Sequence, residues 1–141
     1  KWDDDVDLVH WNTGLWDILH ILGDDKFTPP EQYRELLGRI DKRIRLIFPK
    51  AKIVFALSTP VVEAKYGPHF YRKNAEIEQY NQIAREVFAG TDVVIDDLYS
   101  VMQDAPDACR SDMTHFYTPE GTERIGEAVL DCICPLLDLK R

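Results

Sequence analysis

The chain has 141 residues, enough for one domain, and its 45% hydrophobic and 30% charged composition suits a buried core rather than a disordered chain. A net charge of -8 and a pI near 4.9 leave no broad basic surface for nucleic acid or an anionic membrane. No apolar run approaches the length needed to span a bilayer.

In chain order, the sequence begins Lys1-Trp2-Asp3-Asp4-Asp5, without Met and without a signal-peptide pattern; the acidic run reads as a solvated turn. Residues 6–11 are apolar and aromatic and read as a buried strand, closed by Asn12-Thr13-Gly14. A loop covers residues 23–30. Pro29-Pro30 then opens a helix, because proline suits the first helical turn. Tyr33, Leu36, Leu37, Ile40, Ile44, Ile47 and Phe48 recur at spacings of three and four, and Pro49 stops the helix. Residues 53–57 form a second strand ending in Ser58-Thr59-Pro60, and a second long loop covers residues 59–72. A helix is predicted over residues 72–88, with Ile77, Tyr80, Ala84, Val87 and Phe88 on one face and Gly90 beyond its end. Residues 93–95 form a third strand. Asp96-Asp97 and a longer loop lead to Asp112 and His115. Thr118 is the N-cap of a last helix, with Pro119 at its first position. That helix turns Ile125, Ala128, Val129, Cys132 and Ile133 inward and ends before Pro135.

Strands alternating with helices at this spacing imply an α/β fold of parallel strands, right-handed crossovers and helices on both faces. There is no internal repeat or interdomain linker, so residues 1–141 read as a single domain. Ligands of open parallel sheets bind beyond the carboxyl ends of the strands. Asn12, Ser58 and the pair Asp112 and His115 all follow strand ends, so they belong on one rim.

Asp112 and His115 carry the clearest chemistry. A carboxylate three residues before a histidine, on a loop just ahead of a helix, can accept from one ring nitrogen and steady the imidazolium. The other nitrogen is then a general base for a nucleophile. The candidate nucleophiles within the chain are weak. Ser58 lacks the Gly-x-Ser-x-Gly elbow, Ser111 is too local to His115, Ser100 caps a turn, and Cys109 has only Arg110 as a basic neighbour. His10, His20 and His69 match no zinc spacing and read as packed or rim histidines. The aromatic residues Trp11, Trp16, Tyr66, Phe70 and Tyr71 either wall a binding site or simply pack. Cys109, Cys132 and Cys134 form no CxxC pair and read as free thiols, which favours a cytoplasmic setting.

On these residues the chain resembles the SGNH or GDSL-type hydrolases, flavodoxin-like α/β esterases and acyl hydrolases with a three-layer αβα architecture. Their last block is an Asp-x-x-His before the C-terminal helix, matched by Asp112 and His115. The run His115-Phe116-Tyr117-Thr118-Pro119-Glu120-Gly121 is similar to the bacterial members. Trp11-Asn12-Thr13-Gly14-Leu15 is similar to the block that holds an oxyanion-hole Asn, although the usual Gly-x-Asn-Asp order is absent. The resemblance therefore implies His115 as base, Asp112 as its orienting carboxylate and Asn12 as an oxyanion donor. The family's nucleophile block, a Gly-Asp-Ser after its first strand, has no match here, and neither does its second block. The chain thus corresponds to the C-terminal two-thirds to three-quarters of such a domain, with the N-terminal strand and nucleophile loop absent.

The expected function is a Ser-His-Asp ester hydrolase of the acyl or acetyl esterase type, its serine lying upstream. It would act on a small-molecule or carbohydrate ester and need no metal or organic cofactor. The alternative is a catalytically inactive flavodoxin-like domain that binds a ligand or protein partner through the same rim. A phosphate or nucleotide binder is disfavoured, since no glycine-rich loop follows a strand. Without a neighbour for its first strand, the chain is expected to associate through that open edge.

Overall fold

The computed structural model describes residues 5–140, so Asp3 and Asp4 of the acidic run lie outside the described residues. The elements run β1 (Leu8–Trp11), β2 (His20–Ile21), α1 (Pro30–Ile47), β3 (Lys52–Ala56), β4 (Phe70–Tyr71), α2 (Asn74–Phe88), β5 (Val94–Asp96), α3 (Leu98–Gln103) and α4 (Pro119–Leu136). The three predicted strands and the three predicted helices are therefore all present. They form a parallel sheet of order β1-β3-β5 flanked by helices on both faces, an αβα arrangement.

Side chains alternate across the sheet, so the register decides what each face buries. Val9 pairs with Ile53, Trp11 with Phe55, and Phe55 with Ile95. Ile53, Phe55 and Leu57 join Tyr33 and Leu37 of α1, and Ile77, Tyr80, Ala84 and Phe88 of α2, in one core. The Phe55 ring lies 4.8 Å from Trp11 and 5.2 Å from Phe88. The opposite face carries His10 and Asp96, joined by a 2.8 Å hydrogen bond. There α4 packs beside β5, while Met102, Cys109 and Phe116 make a smaller apolar cluster.

Four features differ from the sequence reading. The last helix passes through Pro135 instead of stopping before it. Proline in the final turn forfeits one hydrogen bond only, and the real terminator is Asp138, whose φ of 55° is left-handed. Leu139 N donates to Cys134 O at 3.0 Å and Asp138 N reaches Pro135 O, which closes the helix as a Schellman motif. The second helix starts at Asn74 rather than residue 72, because the Asn74 side chain is tied to both main-chain groups of Val61. Residues 98–103 are helical, with Asp97 accepting from Ser100 N. Residues 59–72 are not plain loop, since β4 pairs antiparallel with β2.

The core and the surface of α1 differ in what they contribute. Leu37 is fully buried and Leu46 is 77% exposed. Leu37→Ala is expected to cost about 2–5 kcal/mol, and Leu46→Ala no more than about 0.5 kcal/mol, in urea unfolding followed by circular dichroism.

Candidate active site

A cleft of about 390 Å³ opens at the carboxyl ends of the strands. Three segments line it. Residues 12–16 leave β1, Phe70 and Arg72 come from the β4 side, and residues 112–115 form the loop ahead of α4.

That last loop folds around the carboxylate of Asp112. One oxygen, Oδ1, accepts from the main-chain N–H of Thr114 at 2.6 Å and of His115 at 2.8 Å. The other, Oδ2, accepts from His115 Nδ1 at 2.8 Å. Asp112 thus shapes the turn and orients the ring at once. Donating from Nδ1 leaves the lone pair on Nε2, and no described residue bonds that atom. The imidazole also stacks on Tyr117, ring centroids 5.0 Å apart. Partial burial pushes the Asp112 carboxyl up. The bonds from the His115 ring and the two N–H groups outweigh this and hold it below its ordinary value.

The loop is pinned to its surroundings. Val62 N donates to Met113 O at 2.8 Å, and Arg110 Nη1 to Pro60 O at 3.3 Å. The Thr114 hydroxyl bonds the Tyr66 hydroxyl at 2.7 Å. Helix α4 starts immediately behind, with Thr118 accepting from Gly121 N. Gly121 has to be glycine, because a Cβ there would lie 2.1 Å from Cys109 O and 2.7 Å from Phe116 O.

Asn12 faces the same cleft from the end of β1. Its Nδ2 donates to Ala56 O at 2.6 Å, across to the end of β3. One of its two amide hydrogens is thereby committed, and the geometry of the group is set. Gly14, at φ 142°, makes the turn that follows, and a Cβ there would lie 2.5 Å from Ser58 Oγ. The structure therefore brings Asp112, His115 and Asn12 to one rim.

The other sequence candidates lie elsewhere or are engaged. Ser58 is buried beneath Gly14, and its hydroxyl donates to Thr13 O. Ser111 Oγ accepts from Tyr117 N, Ser100 Oγ donates to Asp97, and Cys109 is buried in the small apolar cluster. His10 pairs with Asp96, and His20 pairs with Glu76 while stacking on Tyr71. Among the described residues, no group of three or more His, Cys, Asp or Glu side chains is placed to hold a metal ion. No described helix is long and apolar enough to cross a membrane. Of the five aromatic candidates, Trp16 and Phe70 wall the cleft. Trp11 does not, because it packs against Phe55 and Phe88. Sequence reasoning missed Arg72, which the helical pattern absorbed; its position just after the aromatic run was the available signal.

No protein-family profile and no curated protein matches this sequence. Solved structures do match. One is the lipase/acylhydrolase from Enterococcus faecalis, at TM-score 0.71 and 24% identity, covering 95% of this chain and 63% of that one. Another is described as a GDSL-like lipase from Parabacteroides merdae ATCC 43184, at TM-score 0.55 and 15% identity, covering 74% of this chain and 50% of that one. A third is LAE5, an alpha/beta hydrolase enzyme from the metagenome of Lake Arreo, Spain, at TM-score 0.58 and 16% identity, covering 77% and 49%. The chain has the SGNH/GDSL-type hydrolase fold. It spans less than two thirds of the length of these three hydrolase structures.

The Asp112 carboxyl titrates lower in the folded than in the unfolded chain, so its contribution to stability is present above about pH 3.8 and is lost as pH falls through the lower folded value. Melting followed from about pH 6 to about pH 2.5 is expected to show an acid-side loss in the native protein that is reduced in Asp112→Asn.

Proposed function

We propose that the chain carries the base and oxyanion half of a serine-dependent ester hydrolase of the acyl or acetyl esterase type. The observation that carries this reading is the 2.8 Å bond from His115 Nδ1 to Asp112, which leaves Nε2 unbonded in the cleft that Asn12 also lines. A base alone does not make an ester hydrolase, and no serine or cysteine considered above lines that cleft. The resemblance to SGNH/GDSL-type hydrolases, whose nucleophile block follows the first strand of the domain, implies a serine upstream of this chain as the nucleophile.

In this mechanism His115 Nε2 takes the proton of the serine hydroxyl as its oxygen attacks the ester carbonyl. Asp112 stabilises the imidazolium that results. The remaining amide hydrogen of Asn12 donates to the oxygen of the tetrahedral intermediate. The imidazolium then returns its proton to the departing alcohol, and a second cycle with water releases the acid. The substrate is a small-molecule or carbohydrate ester, and the free thiols of Cys109, Cys132 and Cys134 are compatible with a reducing compartment.

Turnover of 4-nitrophenyl acetate and butyrate tests the assignment. Residues 1–141 alone are expected to stay at background, and extension by the upstream reading frame to give turnover. In that extended protein, His115→Ala should abolish the activity and Asn12→Ala should lower kcat by roughly 10²–10³. His115-dependent turnover by residues 1–141 alone would place the nucleophile inside the chain. An extended protein without turnover would favour the inactive binding domain.

The same division of the domain bears on association. Strand β1 has a partner on one side only among the described residues, and Ile40, Leu46 and Ile47 of α1 are exposed. An open strand edge recruits another strand, and exposed apolar surface elsewhere on the chain adds to the tendency to associate. Residues 1–141 are expected to sediment as oligomers or aggregates, and to become monodisperse when the upstream segment is added in trans. A monomer that melts cooperatively and ignores that segment would overturn the incomplete-domain reading.

A further inference from the structure

Arg72 is the one buried guanidinium among the described residues, only 5% exposed, and it lines the cleft. Among the described residues, no ion pair involves it. Arg34, Arg39, Arg45 and Arg85 all meet carboxylates, but they do so near the surface. Arg72 instead donates from Nε to Leu15 O at 2.5 Å and from Nη1 to the Tyr66 hydroxyl at 3.3 Å. Its guanidinium carbon lies 5.6 Å from the ring centroids of both Trp16 and Phe70. Nη2 has no hydrogen-bond partner among the described residues. Burying a cation without a counter-charge is costly, and ring faces offset only part of that cost. A planar guanidinium with donors to spare suits an oxyanion.

The cation is also fixed relative to the base. Tyr66, which accepts from Arg72, bonds Thr114, and Thr114 N bonds the Asp112 carboxylate. Among the described residues, Asp112 is the only carboxylate lining the cleft, and both its oxygens are engaged by the loop and the ring. Trp16 and Phe70, each 5.6 Å from the guanidinium carbon, supply flat apolar wall to the same cleft.

We infer that Arg72 reads an oxyanionic group, carboxylate or phosphate, on the ester this cleft accepts, so that the preferred substrate is a charged rather than a neutral ester. The inference rests on the ester-hydrolase reading for the word ester alone; the anion site stands on the buried guanidinium.

Calorimetric titration of the protein, extended by its upstream reading frame, tests it with monomethyl succinate, methyl phosphate and neutral dimethyl succinate. At least one anion should bind on the order of tenfold more tightly than the neutral diester, a gap of about 1.4 kcal/mol. The tighter anion identifies the group. Added salt should narrow the gap, Arg72→Met should abolish it, and Arg72→Lys should keep part of it. Equal binding of charged and neutral probes by the native protein would overturn the inference, and this comparison needs no variant to fold. So would an unchanged gap in a folded Arg72→Met protein. His115-dependent turnover of 4-nitrophenyl butyrate together with equal binding would keep the hydrolase and discard the anion site. Anion-selective binding without such turnover would do the reverse.

Discussion

Around the carboxyl end of β3, main-chain groups fix several other segments at once. Ala56 O receives the Asn12 amide, and Leu57 N donates to Asp96 O. The Asn81 side chain clamps both the N–H and the carbonyl of Ser58, at 2.9 Å each. Val61 is bound in the same two-handed way by Asn74, and Val62 N holds Met113 O. The exit of β1, the exit of β5, the start of α2 and the loop of His115 are therefore all registered to one buried strand end. Each such bond contributes only about 0.5–1.5 kcal/mol net, but leaving a buried main-chain group unpaired costs about 1–3 kcal/mol. The arrangement is held as much by that penalty as by the bonds.

Two glycines let the segments come close enough for this to work. Gly14 lies over the Ser58 hydroxyl and Gly121 over the carbonyls of Cys109 and Phe116. At Gly121 the obstacle to a side chain is main-chain oxygen, which cannot swing aside. The N-terminus of α4 is thus pressed against the loop that carries Asp112 and His115. Thr118 caps the helix in the same turn, so the position of His115 is set by a helix start and not by a loop tip. Ser58 is excluded as a partner for His115 by the same contact, since the close approach that needs Gly14 also seals its hydroxyl against Thr13 O.

Long periodic features were legible in the sequence, and short or remote ones were not. The spacing of Tyr33, Leu37, Ile40 and Ile44 is a helix signal over several turns, and the Val- and Ile-rich run at 53–57 admits little besides a buried strand. Asp112 and His115 were legible because two residues three positions apart on one tight turn must lie together. The β2–β4 pair was not, since two residues per strand cannot display an alternation. Residues 98–103 make under two turns, too few for a period. Arg72 was hidden for a different reason. Its partners Leu15 and Trp16 lie more than fifty positions away, and only the antiparallel pairing of His20 with Tyr71 brings that side of the cleft together. Pro135 misled because a local rule about proline was applied where a left-handed residue three positions later decides the end.

The bond from Asn12 to Ala56 O bears on what the amide can contribute. A donor that must first reorient toward a developing charge loses part of its stabilisation to that reorganisation, whereas a fixed donor does not. Anchoring one N–H of Asn12 to β3 removes the rotation of its terminal amide and aims the second N–H along a set direction. The same anchor costs the group half its donor capacity. In the oxyanion role proposed for Asn12 the balance favours orientation, because a single well-aimed donor in a partly enclosed cleft outweighs two mobile ones that water competes for. In the Trp-Asn-Thr-Gly order at 11–14, Trp11 buries the strand end against Phe55, Asn12 reaches sideways to Ala56, and the flexible position falls at Gly14, where the chain has to turn.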